Sequence, residues 1–140
     1  MTDVTTVLFA CVANAGRSQM AAALFNALAD PARARALSAG TRPGSVVHPE
    51  VVTVMREVGI DLADVRPQHL TPELASTAQL LVTMGCGEEC PVVPGVIRED
   101  WPLPDPKGQS LDRVREIRAD IRARVAELVV ARGWSVPPRA

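Results

Sequence analysis

A thiol and a guanidinium six positions apart, Cys11 and Arg17, bracket the run Cys-Val-Ala-Asn-Ala-Gly-Arg-Ser. An apolar stretch, Val4 to Ala10, precedes this run and a helical pattern follows it, which predicts a strand, a tight loop and a helix. A loop entering a helix N-terminus aims backbone N–H groups at one point, and the helix dipole adds positive potential there. Such a nest holds a tetrahedral oxyanion and favours the thiolate of a cysteine on its floor. Arg17 can take two oxygens at once, a geometry that a lysine ammonium lacks. The expected oxyanion-binding set is Val12, Ala13, Asn14, Ala15, Gly16, Arg17 and Ser18, with Cys11 as nucleophile. Ala13, Ala15 and Gly16 let the backbone approach an anion, and Asn14 tolerates a left-handed conformation. Ser18 is placed either to cap the helix or to give a hydrogen bond to the sulfur.

Two further features carry chemistry. Asp105-Pro106 lies just before a long C-terminal helical pattern. A carboxyl on the rim of an oxyanion pocket can protonate a departing oxygen, whereas the dipeptide by itself is a turn. Cys86 and Cys90 lie in Gly-Cys-Gly-Glu-Glu-Cys-Pro, directly after a strand pattern ending at Met84, and so on the same sheet rim as Cys11. Fully extended, that spacing covers about 13 Å, beyond the ~7 Å reach of a disulfide. Coiled into one helical turn it shrinks to roughly 6 Å. A redox pair, a pair of structural thiols and a metal site all remain open, the redox pair favoured because a third thiol waits at Cys11. His48 and His69 stand at no metal or triad spacing, so they read as satisfied or solvated side chains and no metal is expected.

The elements that must position these groups alternate along the chain. Val4–Ala10 reads as a buried strand, Ser18–Leu28 as a helix, Arg35–Ser38 as a short strand and Glu50–Val58 as a helix stopped by Gly59. Thr71-Pro72-Glu73 starts a short helix with Thr71 as its cap, and Gln79–Met84 and Val96–Trp101 read as strands. Leu111–Val130 is a long amphipathic helix with Val114, Ile117, Ile121, Val125 and Leu128 inward and its arginines towards water. Strands alternating with helices predict an α/β domain on a parallel sheet, whose ligands sit at the carboxyl ends of the strands. Residues 1–132 are expected to form that single domain and 133–140 a flexible C-terminal tail. A length of 140 residues, 47% hydrophobic content and a mean hydropathy of +0.11 suit one well-packed globular unit. A net charge of −1 gives no reason to expect a nucleic acid or an anionic membrane. No apolar run reaches transmembrane length and no signal-peptide pattern opens the chain, so a cytoplasmic location is expected. There the three cysteines are reactive thiols in preference to a disulfide framework.

Taken together, Cys11–Met20, Ser38-Ala39-Gly40-Thr41, His48-Pro49, Val58-Gly59-Ile60-Asp61, Leu81-Val82-Thr83-Met84, Cys90-Pro91 and Trp101–Pro106 carry a resemblance. Over nearly all of residues 4–130 the chain resembles the arsenate reductases built on the low-molecular-weight protein tyrosine phosphatase fold, most closely the actinobacterial type. The resemblance implies a three-layer domain with a four-stranded parallel sheet flanked by helices, and reduction of arsenate to arsenite. Carried over residue by residue, Cys11 attacks arsenic and Arg17 holds the oxyanion with the loop amides. Asn14 and Ser18 tune the loop and the thiolate, and Asp105 protonates the leaving hydroxide. In the thioredoxin-linked branch a second cysteine attacks the first and expels arsenite, and a third takes over the disulfide; Cys86 and Cys90 stand at those places. Another branch uses mycothiol and a mycoredoxin instead. The resemblance thus implies no bound cofactor, an external thiol reductant (thioredoxin or mycothiol), and thioredoxin or mycoredoxin as partner. Ala22 stands where some relatives place a glutamate of a potassium site, so no potassium is expected, and Gly16 replaces a cysteine found in many phosphatases. Two alternatives use the same residues: a low-molecular-weight protein tyrosine phosphatase, and a non-enzymatic thiol redox or oxyanion sensor. Against the first, the chain has no Tyr, and Lys107 follows Asp105-Pro106 where tyrosine phosphatases offer an aromatic ring. Against the second, a sensor has no use for a leaving-group acid at Asp105.

Overall fold

The computed structural model describes residues 4–85, 90 and 93–136. Its strands are β1 (Thr5–Cys11), β2 (Ala34–Gly40), β3 (Leu80–Thr83) and β4 (Ile97–Asp100). Its helices are α1 (Arg17–Leu28), α2 (Pro49–Arg56), α3 (Pro72–Ser76) and α4 (Leu111–Ala131). The strands lie in the order β2-β1-β3-β4 and all pair in parallel, as the alternation of elements predicts. β1 is buried from Thr6 onward because helices or loops cover both of its faces, which is why it reads as a continuous apolar run. Val7, Phe9 and Cys11 face one cluster with residues of α1, α2 and α4. Leu8 and Ala10 face the other, with Leu70, Ala75, Ala78, Leu81 and Cys90. The chain leaves β1 for β2 on one side while β3 lies on the other. The crevice of this switch point therefore opens at the carboxyl end of β1, where Cys11 pairs with Gly40 and Ala10 with Thr83.

The helices follow local rules closely. Thr71 caps α3 by accepting from the Leu74 amide at 3.1 Å, and Ser110 caps α4 by accepting from the Arg113 amide at 3.2 Å. All five positions expected on the inner face of α4 are buried, together with Val129. Its arginines are not all turned to water. Arg115 and Arg118 reach Glu57 at 2.7 and 2.9 Å, and these hydrogen bonds hold the Glu57 carboxyl down at about 2. β2 runs longer than expected because β1 pairs with it along its whole length. α2 ends earlier: Gly59 takes φ +80°, and the Ile60 amide turns back to the Met55 carbonyl at 3.0 Å.

Residues 133–136, expected to begin a loose tail, are tied down instead. The Asp30 amide donates to the Trp134 carbonyl at 2.7 Å, and the Trp134 ring lies edge-on to Phe25 with centroids 5.8 Å apart. Among the described residues no helix is long and apolar enough to cross a membrane.

Candidate active site

The loop between β1 and α1 is shaped by what its carbonyls do. Those of Cys11, Val12, Ala13 and Ala15 accept from the amides of Thr41, Arg42, Gly44 and His48 at 3.1, 2.8, 2.9 and 2.9 Å. In a trans peptide the N–H points opposite to the C=O, and no peptide here is cis. The amides of Val12, Ala13, Asn14 and Gly16 therefore turn away from the 41–48 segment. One of them, Asn14 N–H, donates to Cys11 Sγ at 3.3 Å. Gly40 makes the arrangement possible, since a Cβ there would stand 2.5 Å from the Val12 carbonyl oxygen. No side chain caps α1, whose N-cap is Gly16, so the helix presents an open N-terminus to the same point.

A directed chain of hydrogen bonds ends on the sulfur. Gln68 N–H, which can only donate, gives to Asn14 Oδ1 at 3.0 Å, and Gln19 Nε2 gives to the same oxygen at 3.1 Å. That fixes which way the Asn14 amide points. Asn14 Nδ2 then donates to Ser18 Oγ at 2.8 Å, leaving the Ser18 proton for Cys11 Sγ, 2.8 Å away. Of the two roles open to Ser18, the structure assigns the hydrogen bond to sulfur and not the helix cap. Asn14 is fully buried at φ 51°, the left-handed conformation expected for it. Cys11 itself is a free thiol, 2% exposed.

Arg17 and Asp105 meet over this floor. Arg17 Nη1 donates to the Leu103 carbonyl at 3.0 Å, and Nη2 stands 3.9 Å from Asp105 Oδ2. The guanidinium lies against Gly85, at φ +103°, where any side chain would collide with it. Asp105 is more than half exposed and also accepts from the Lys107 amide at 3.0 Å. Its turn geometry and its place on the rim thus coexist. Cys11, Val12, Ala13, Gly16, Arg17 and Asp105 line a cleft of about 350 Å³, which Arg42, Gly44, His48 and Lys107 complete. Arg42 and Gln68 carry no local signal of a place here, whereas Gln19 and His48 stand inside motifs of the resemblance without a role of their own. His48 enters because its amide pairs with the loop; Gln68 enters by long-range folding.

None of the four aromatic side chains reaches the cleft. Phe9 and Phe25 are buried, Trp101 packs on Phe9 at 5.6 Å, and Trp134 packs on Phe25. Cys90 is disulfide-bonded, 3% exposed, and packed on the face of the sheet opposite Cys11. Cys86 lies outside the described residues. The arrangement can bind a tetrahedral oxyanion, attack it with sulfur and protonate a leaving oxygen.

Known proteins fit this geometry. The family model described as low molecular weight phosphotyrosine protein phosphatase matches residues 6–133. A glutaredoxin arsenate reductase of Synechocystis is 35% identical over 126 residues, covering 88% of this chain and 95% of its own. Arsenate reductase 1 of Bacillus cereus is 35% identical over 130 residues, covering 89% and 94%. Among solved structures, a thioredoxin-dependent arsenate reductase of Corynebacterium glutamicum superposes with a TM-score of 0.79 at 38% identity. That match covers 91% of this chain, which spans 61% of the Corynebacterium chain.

Proposed function

We propose, for a chain that belongs to the low molecular weight phosphotyrosine protein phosphatase family, that it is an arsenate reductase opening its cycle with attack of Cys11 on arsenic. The observation that carries the first step is the Asn14 amide donating to the Cys11 sulfur, in a loop whose carbonyls pair away with the 41–48 segment. Arsenate is held by the loop amides and by Arg17. Cys11 Sγ forms a bond to arsenic, and the As–O bond opposite it breaks. The leaving hydroxide departs as water with a proton from Asp105.

The second half of the cycle moves electrons. A Cys86 thiolate attacks Cys11 Sγ, and the S–As electron pair stays on arsenic, which leaves as arsenite. Cys90 then attacks Cys86, frees Cys11 and ends the intramolecular relay as a disulfide. One observation supports this order: Cys90 packs on the face of the sheet away from Cys11, which suits a relay that passes through a thiol between them. Among the described residues no Phe, Trp or Tyr ring lines the cleft, which disfavours a phosphotyrosine substrate.

An external thiol reductant closes the cycle. A relay that ends in an internal disulfide suits a dithiol donor such as thioredoxin better than mycothiol with mycoredoxin. The test is arsenate-dependent NADPH oxidation with each donor system, using wild type, Cys86→Ser and Cys90→Ser. Thioredoxin is expected to sustain the wild type and neither variant. Full turnover of both variants with mycothiol, and none of the three with thioredoxin, would remove the internal relay.

A further inference from the structure

Gly16, at the N-terminus of α1, sits where space for a side chain is short. A Cβ there would stand 2.7 Å from Pro106 Cγ, 3.3 Å from Pro106 Cδ and 3.5 Å from His48 Cδ2. Pro106 is buried, with its ring against the bare α-carbon of the oxyanion loop. A proline ring cannot swing aside as a long flexible side chain would, and its backbone is joined directly to Asp105.

The rest of the loop carrying Asp105 is braced from other directions. Arg17 holds the Leu103 carbonyl at 3.0 Å, and Glu50 Oε1, in the first turn of α2, accepts from the Gly108 amide at 3.3 Å. Asp105 itself accepts from the Lys107 amide at 3.0 Å. With both ends of the loop held, the depth to which Pro106 settles on Gly16 governs how closely the carboxyl approaches the anion.

We infer that Gly16 is a positioning residue for Asp105: its missing side chain seats Pro106 and so sets the general acid over the oxyanion. This rests on the reading of Asp105 as that acid. An ordinary contact begins at 3.4 Å, so on this chain's backbone a Cβ at position 16 must push the ring outward by several tenths of an ångström. A misplacement of about 1 Å at a reacting group costs up to ~100-fold in rate. The amide of residue 16 survives substitution, so binding of the oxyanion is not the quantity that changes.

The test is single-turnover formation of arsenite by pre-reduced protein, with arsenate affinity taken from the concentration dependence. Gly16→Ala is expected to slow the step by about 10- to 100-fold while affinity stays within about 3-fold. In an Asp105→Asn background the same substitution should cost less than about 3-fold, because the group it misplaces no longer donates a proton. Gly16→Ala added to Pro106→Ala should also cost less than about 3-fold, because the ring is gone. This last comparison stands even where Gly16→Ala alone fails to fold. An equal loss in the Asp105→Asn background, a loss carried by affinity, or an undiminished loss beside Pro106→Ala would each overturn the inference. If Asp105→Asn is itself as fast as wild type, the acid assignment fails first. If Asp105→Asn is slow and Gly16→Ala is fast, only the role of Gly16 fails.

Discussion

Replacing Asn14 with aspartate should reverse the hydrogen-bond relay to Cys11 while keeping its shape. Oδ1 would keep its two donors, the Gln68 amide at 3.0 Å and Gln19 Nε2 at 3.1 Å. The φ of 51° suits aspartate as it suits asparagine. The atom facing Ser18 Oγ at 2.8 Å, however, changes from a donor to an anionic acceptor. Ser18 has one proton, and it turns towards the carboxylate and away from Cys11 Sγ. A hydrogen bond to a charged group is worth about 1.5–3 kcal/mol. At about 1.36 kcal/mol per decade this is a loss of roughly 10- to 150-fold in the rate at which Cys11 is alkylated. The assay is the rate of Cys11 alkylation by iodoacetamide at neutral pH, in a Cys86→Ser/Cys90→Ser background where Cys11 is the sole thiol. Ser18→Ala serves as the direct deletion of the same bond, and thermal melts report the fold. Asn14→Asp should fall at least as far as Ser18→Ala. Alkylation within about 3-fold of the parent, with Ser18→Ala slowed, would refute the relay, since the hydroxyl would still serve the sulfur.

Other consequences lie away from the sulfur. Glu57 is held at about 2, against an ordinary 4.5, first by its hydrogen bonds from Arg115 and Arg118. A depressed carboxyl contributes stability above its unfolded value and loses it as pH falls through the folded one. Glu57→Gln should therefore melt below wild type at neutral pH, with the gap closing between 4.5 and about 2; melting curves across that range test this, and a pH-independent gap would contradict it. Ending the chain after Arg132 removes the Trp134 ring from Phe25 and the carbonyl that accepts from Asp30. A loss of about 1–3 kcal/mol in denaturant unfolding is expected for that half-buried ring, and an unchanged midpoint would return the segment to a loose tail. Asp105→Asn should slow arsenite formation in a single turnover by about 100- to 10,000-fold, and an unchanged rate would leave Asp105 with only its turn role.

What was readable from the sequence was mostly what the chain decides locally. The Cys11 loop, the helix after it and the inner face of α4 follow from spacing within a few residues. The role of Ser18 stayed open because it is decided by the orientation of Asn14, and that is set by Gln68, 54 positions away. His48 has no telling spacing for the same reason: its place in the cleft comes from pairing between its amide and the Ala15 carbonyl. The full length of β2 became visible only once β1 lay beside it. Trp134 sits in a Gly- and Pro-rich stretch with no periodicity, and its place comes from packing on Phe25, far earlier in the chain.

The most direct measurement mixes pre-reduced protein with arsenate, without external reductant, and counts arsenite formed and thiols lost per chain. Wild type should yield one arsenite and lose two thiols, Cys11→Ser neither. Arsenite from Cys11→Ser, or none from wild type under conditions where it hydrolyses a phosphate ester, would contradict the assignment of Cys11 and its partner thiols to arsenate reduction.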